Sequence, residues 1–126
     1  MYDRRVALET LKYIEKSLNE ISEWTRDVSS VDDFYMSPSG MILLNAVCMK
    51  LLAMGEEFKG LDRRTGGELL KSYPSVPWRE VIGLRDVIAH HYFDLDADII
   101  FTILQVDIQP LSDTVREMIV DLEVRK

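Results

Sequence analysis

Ser37-Pro38, followed by Met41, Leu44, Val47, Cys48, Leu51, Leu52 and Met54, constrains this chain most. A serine before a proline marks a helix start. The hydroxyl accepts from an orphan backbone N–H, and proline's fixed φ suits the first helical position, where no N–H is needed. The apolar residues after it lie around much of the helix circumference rather than on one stripe, so other helices must cover this one on several sides. It is expected to run to about Lys59 and to end at Gly60 in the left-handed conformation.

The flanking segments supply those covers. From Asp3 to about Asp27, apolar residues at Val6, Leu8, Leu11, Ile14, Leu18, Ile21 and Trp24 recur at helical spacing, with Asp3 as N-cap. Ser29–Tyr35 reads as a connection from which Phe34 and Tyr35 pack down. Thr65-Gly-Gly-Glu68 fits a capping box before a short helix at about 66–72. Tyr73-Pro-Ser-Val-Pro77 is extended, because residues before proline avoid the helical region. Trp78 opens a helix to about Tyr92, with Trp78 itself packed between helices. Asp94-Leu-Asp96 turns, and Asp96 caps a final helix that Pro110 should break or kink. A last amphipathic piece carries Leu111, Val115, Met118, Ile119 and Leu122. Strand signals are sparse, so the expected fold is all-α, an up-down bundle of four to five helices in one domain, 1–126.

With 126 residues, 47% of them hydrophobic, the chain can bury a real core. Its apolar runs fall short of the roughly 20 residues that span a bilayer. No signal-peptide block follows the start, and the single cysteine, Cys48, lies in an apolar run as a small core residue. No membrane association and a cytoplasmic location are the default. The net charge of −7 works against broad phosphate neutralisation. Any nucleic-acid contact must be local or come from a partner.

Chemistry concentrates in Arg85-Asp-Val-Ile-Ala-His90-His91-Tyr92, which holds both histidines of the protein. Histidine titrates near neutrality unaided, and the guanidinium fork fits phosphate oxygens. Asp86 and His90 are four apart, so a helix puts them on one face, where the carboxylate can set the imidazole's orientation. Arg85 and Tyr92, seven apart, also share a face. RNA carries its own nucleophile, the 2′-hydroxyl. Its cleavage needs a base, an acid and a cation for the phosphorane, and no metal. Arg79 is the next phosphate-binding candidate, unless Glu80 or Glu57 neutralises it. Duller roles are open to each residue: Arg85 pairing with Asp86 or Glu56, His90 on the helix dipole, His91 as exposed filler, Tyr92 as a packed aromatic. Neither a metal site nor a cofactor is expected. Adjacent helical histidines diverge by about 100°, and no phosphate-binding loop, dinucleotide fingerprint or serine-hydrolase elbow occurs.

The pattern Arg85, four residues, His90, one residue, Tyr92 resembles the signature of the HEPN superfamily, specifically of HepT-like toxins. Pro77-Trp78-Arg79-Glu80-Val-Ile-Gly83-Leu84 leads into it, and Tyr92-Phe93-Asp94-Leu95-Asp96 leaves it, as in that family. Met54-Gly55-Glu56-Glu57 resembles its Ile-Gly-Glu-Ala run, and Asp107-Ile-Gln-Pro110-Leu111 its Asp-Leu-Pro-Pro-Leu. The likeness covers most of residues 40–115; the first 35 match only as a generic amphipathic helix. It implies a homodimer whose motifs face a cleft near the two-fold axis. It also implies metal-independent endoribonuclease activity with Arg85, His90 and Asp86 as catalytic residues. One His90 would act as base and its mate as acid. The implied partner is an MNT-type nucleotidyltransferase antitoxin that modifies Tyr92 with AMP. The family often has asparagine after the arginine; Asp86 here adds a negative charge beside the phosphate. The alternative is a non-catalytic HEPN module serving as a dimeric platform for the nucleotidyltransferase.

Overall fold

Asp3 closes the first helix by accepting from the backbone N–H groups of Arg5 and Val6 at 3.0 and 3.2 Å, a cap typically contributing about 1 kcal/mol. Helix α1 spans Arg4–Trp24, three residues short of the expected end, and buries Ala7, Leu11, Ile14, Leu18 and Ile21. The computed structural model describes residues 2–94 and 96–124. The connection after α1 is not wholly irregular. It contains a one-turn helix, α2 (Asp32–Tyr35), which drives Phe34 fully into the core. Tyr35 stays half exposed, but its hydroxyl accepts from the Ala97 backbone N–H at 3.2 Å.

Helix α3 (Pro38–Arg64) starts as expected, with the Ser37 hydroxyl accepting from Gly40 N–H at 3.0 Å. It does not stop at Gly60. Leu61 is fully buried, and burying it carries the helix one more turn. The left-handed residues are instead Gly66 (φ 62°) and Gly67 (φ 76°). The capping box at Thr65 therefore does not form: Thr65 closes α3, its hydroxyl donating back to the Leu61 carbonyl at 2.9 Å. The short helix after it, α4, is only Glu68–Lys71.

Helix α5 (Trp78–His90) ends two residues before the expected Tyr92, which begins a single 3-10 turn, Tyr92–Asp94. The expected turn at 94–96 includes Leu95, outside the described residues. Asp96 caps α6 (Ala97–Thr102), accepting from Asp98 N–H at 2.9 Å. Pro110 does not break the last helical run. The backbone widens into a π-helical turn at Ile103–Asp107 and continues directly as α7 (Ile108–Val124). The wider turn, placed just before the proline, changes the carbonyl register that the ring would otherwise strike one turn back.

Among the described residues four long helical runs result: α1, α3, α5 and α6 through α7. No strand occurs among the described residues. Neighbours run antiparallel. Lys50 meets Glu20 and Arg64 meets Thr10 between α3 and α1. Lys12 meets Glu123 and Glu15 meets Arg116 between α1 and α7. Phe58 meets Trp78 between α3 and α5, ring centroids 5.2 Å apart, and the Trp78 indole N–H donates to the Tyr73 carbonyl at 2.9 Å. The all-α bundle expected from periodicity is the observed architecture. By length and composition α3 could cross a bilayer, but here it packs against α1, α2 and α5 as the central helix.

Helices α3 and α5 approach most closely at Gly55. A Cβ there would lie 3.1 Å from Arg85 Cβ and 3.3 Å from Arg85 N. Replacing Gly55 by leucine improves helix propensity by about 1 kcal/mol, yet forces a whole side chain into that contact. Gly55→Leu should therefore lower stability by about 1–3 kcal/mol net, read as a lower urea midpoint with unchanged slope.

Candidate functional site

Close packing at Gly55 decides where Arg85 can go. Its stem lies against α3 and its head emerges beside Glu56, the next residue of α3. Arg85 Nε sits 3.1 Å from Glu56 Oε2, and Nη1 donates to Asp86 Oδ1 at 2.7 Å. The side chain keeps 38% of its surface exposed. Arg85 thus pairs with both of the acids that the sequence offers it. The hydrogen bond to Asp86, and next the charge of Glu56, raise the guanidinium pKa further. The same hydrogen bond pulls the Asp86 carboxyl below its ordinary range, with the charges of Arg85, Lys59 and His90 adding to it against a counteracting desolvation.

The four-residue spacing predicts that Asp86 orients His90. The hydrogen bond of Asp86 goes to Arg85 instead, and no Asp86–His90 hydrogen bond occurs among the described residues. Adjacent residues on a helix can meet when one is a long arginine, and that contact competes with the i,i+4 contact. His90 is exposed in the last turn of α5. It is five residues from Arg85, so the two side chains leave the helix about 140° apart. Arg79, Asp86 and His90, by contrast, recur at steps of seven and four and fall along one exposed stripe. Arg79 has no ion pair to Glu80, Glu57 or any other acid among the described residues, which leaves it available to an anion. His91 is exposed, as expected of a filler position.

Tyr92 does not open toward Arg85. Its hydroxyl donates to Asn45 Oδ1 on α3, and its ring meets Phe93 edge-on with centroids 5.6 Å apart. Asn45 and Glu56 are eleven residues apart on α3, about 16 Å at 1.5 Å per residue. The tyrosine is 40% exposed and Phe93 is fully exposed. The shared face expected from a seven-residue spacing fails because α5 ends at His90 and the chain turns before Tyr92. Sequence reasoning misses Asn45, since no local signal links residues 47 positions apart. It finds Glu56 only as a possible partner.

The Asp86 shift has a definite sign in pH. A depressed carboxyl stays ionised below its ordinary pKa, so the Arg85 pair is intact above that range and is lost as pH falls through the lowered value. The pair is solvent-exposed and adds little to stability. Carbon-13 carboxyl titration should place the Asp86 midpoint below the usual value of about 3.9, and Arg85→Ala should return it upward. An unshifted Asp86 in the wild type would contradict the pairing.

Comparison with known proteins gives this geometry a context. A family model described as "Ribonuclease HepT-like" matches residues 14–118. "Putative RNase MJ1380" of Methanocaldococcus jannaschii is 28% identical over 102 residues, covering 81% of this chain and 86% of that one. "Probable ribonuclease HepT" of Thermococcus cleftensis is 27% identical over 109 residues, covering 86% and 92%. "Gamma-glutamylcyclotransferase and putative RNase MJ0434", also of M. jannaschii, is 28% identical over 116 residues; the match covers 92% of this chain but about half, 49%, of that longer protein. No solved structure matches the chain. With the family model covering the motif helix, the helix it crosses and most of the helices around them, the chain belongs to the HepT-like ribonuclease family.

Proposed function

We propose that this protein is a metal-independent endoribonuclease, the toxin of a toxin–antitoxin pair in the cytoplasm, working as a homodimer. The observation that supports it best is the exposed stripe Arg79–Asp86–His90 on α5 with Arg85 beside it, in a chain of this family. The neutral imidazole of one His90 takes the proton of the RNA 2′-hydroxyl. The freed oxygen attacks the adjacent phosphorus, and a 2′,3′-cyclic phosphate forms as the bond to the 5′-oxygen breaks. A protonated His90 from the second chain gives its proton to that leaving oxygen. Arg85 stabilises the charged phosphorane and Arg79 holds a neighbouring phosphate. Doubling the set is needed because one chain supplies a single motif histidine, directed about 140° from its own Arg85.

Regulation follows from Tyr92. A nucleotidyltransferase antitoxin of the MNT type would let the Tyr92 oxygen attack the α-phosphorus of ATP. The new O–P bond forms, pyrophosphate leaves and the phenolic proton passes to solvent. The added AMP would lie at the C-terminal end of α5 beside His90 and His91, rather than against Arg85 of the same chain. Its effect would be to cover the histidine and to place negative charge there.

A second reading, a non-catalytic dimeric platform for the nucleotidyltransferase, draws on one specific observation. Arg85 is already met by two carboxylates, Glu56 and Asp86, in a chain of net charge −7. A cleavage assay separates the two. The nuclease reading expects RNA cleavage that persists in EDTA and leaves 2′,3′-cyclic phosphate ends, with Arg85→Ala and His90→Ala each slowing it by ~10²-fold or more and His91→Ala mattering less. Mixing the wild type with an excess of the His90→Ala variant should lower the rate per wild-type chain if the site is shared between chains, because a mixed dimer holds only one His90. Full activity in either single variant overturns the assignment, and no cleavage by the wild type favours the platform. Incubation with the nucleotidyltransferase and ATP should add the mass of AMP to the wild type and not to Tyr92→Phe.

A further inference from the structure

On the side of α5 turned away from His90, a groove of ≈ 280 Å³ opens between α5 and the α6–α7 run, floored by α3. Leu51 and Met54 form its floor, Val81 and Leu84 one wall and Leu111 the other, so the lining is mostly carbon. Two carboxylates, Glu80 and Asp107, line it as well. Neither has an ion-pair partner among the described residues, although the chain carries many cations elsewhere. Asp107 is the last residue of the π-helical turn, a local widening of a kind that recurs at functional sites.

The groove is near the lower end of small-molecule pockets, which begin at roughly 300 Å³. That is room for an anchoring side chain rather than a nucleotide, and the two carboxylates repel any phosphate. An apolar anchor placed there would put its neighbours beside Glu80 and Asp107, where a lysine or arginine would find its charge complement. We propose that this groove is a docking site for a partner polypeptide that inserts an apolar side chain flanked by a basic residue. It lies on a different face of α5 from the Arg79–His90 stripe, so docking and RNA contact do not compete.

The test uses the full chain with labelled methyl groups and two blocked tetrapeptides, acetyl-Lys-Leu-Phe-Lys-amide and acetyl-Glu-Leu-Phe-Glu-amide. The lysine peptide should move the Val81, Leu84 and Leu111 methyl resonances saturably and leave the exposed Val87 and Val124 methyls in place. The glutamate peptide should bind at least tenfold more weakly. Glu80→Gln combined with Asp107→Asn, both at exposed positions, should remove that preference while helicity stays unchanged. Arg85→Ala should bind the lysine peptide as the wild type does, which separates this outcome from the fate of the nuclease reading. Equal affinity for the two peptides, shifts scattered over the surface, or no saturable shift at millimolar peptide would overturn the proposal.

Discussion

The absence of a side chain at Gly55 is the constraint on which the arrangement of the motif depends. Two helices ordinarily keep their axes 8–10 Å apart because side chains stand between them. At Gly55 nothing stands between, and the backbone of α5 at Arg85 comes within van der Waals range of the place a Cβ would occupy. That contact fixes the register of α5 on α3. Phe58 then meets Trp78 near one end and Asn45 meets Tyr92 near the other. Sliding α5 by one turn would break both contacts and carry Arg85 away from Glu56. The glycine thus acts on the chemistry indirectly: it determines which acid of α3 the arginine meets.

The electrostatics of that meeting explain how an acidic protein can still present an anion site. Two carboxylates around one guanidinium leave a local excess of negative charge, which opposes an incoming phosphate. The pairs are exposed, though, and exposed pairs contribute about 0–1 kcal/mol each. A phosphodiester offering a fork of oxygens to the same guanidinium competes with contacts of that modest size. Arg79, six residues earlier on α5 and without an acid partner among the described residues, adds attraction on the His90 side of α5. The site is weakly biased against anions rather than closed to them.

Local chemistry is legible in the sequence wherever a residue acts on its own backbone. Asp3, Ser37 and Asp96 cap helices where their sequence context predicts. The all-round apolar character of α3 correctly places it at the centre. The expectations that fail each depend on a distant partner. Gly60 looks like a helix stop, but Leu61 is drawn into the core and the stop moves to Gly66 and Gly67. Thr65 looks like a cap for the next helix, but it is already used to close the previous one. Pro110 looks like a break, and a wider turn of backbone absorbs it. At the site, the spacing of Asp86 and His90 is correct and its expected consequence is not, because Arg85 competes for the same carboxylate. The Tyr92–Asn45 contact has no local signature at all.

The disposition of Arg85 and His90 around α5 bears on any account of catalysis by this chain. Side chains leaving one helix about 140° apart do not converge on one phosphate unless a tip bends back or a second molecule supplies the missing group. Bending back is opposed by geometry, since the Arg85 stem is confined against α3 and its head is held at Glu56. Supply from a second molecule is compatible with what surrounds the motif. Ile42 and Met49, on the outward side of α3 flanking Asn45, remain largely exposed, as does Phe93 beyond Tyr92. Such apolar surface next to a polar motif is costly to leave in water and favourable to cover. Under the homodimer proposal, a second copy laid over this band would bring its own histidine toward the first copy's arginine. The need for a shared site and the means of assembling one would then arise from the same face of the bundle.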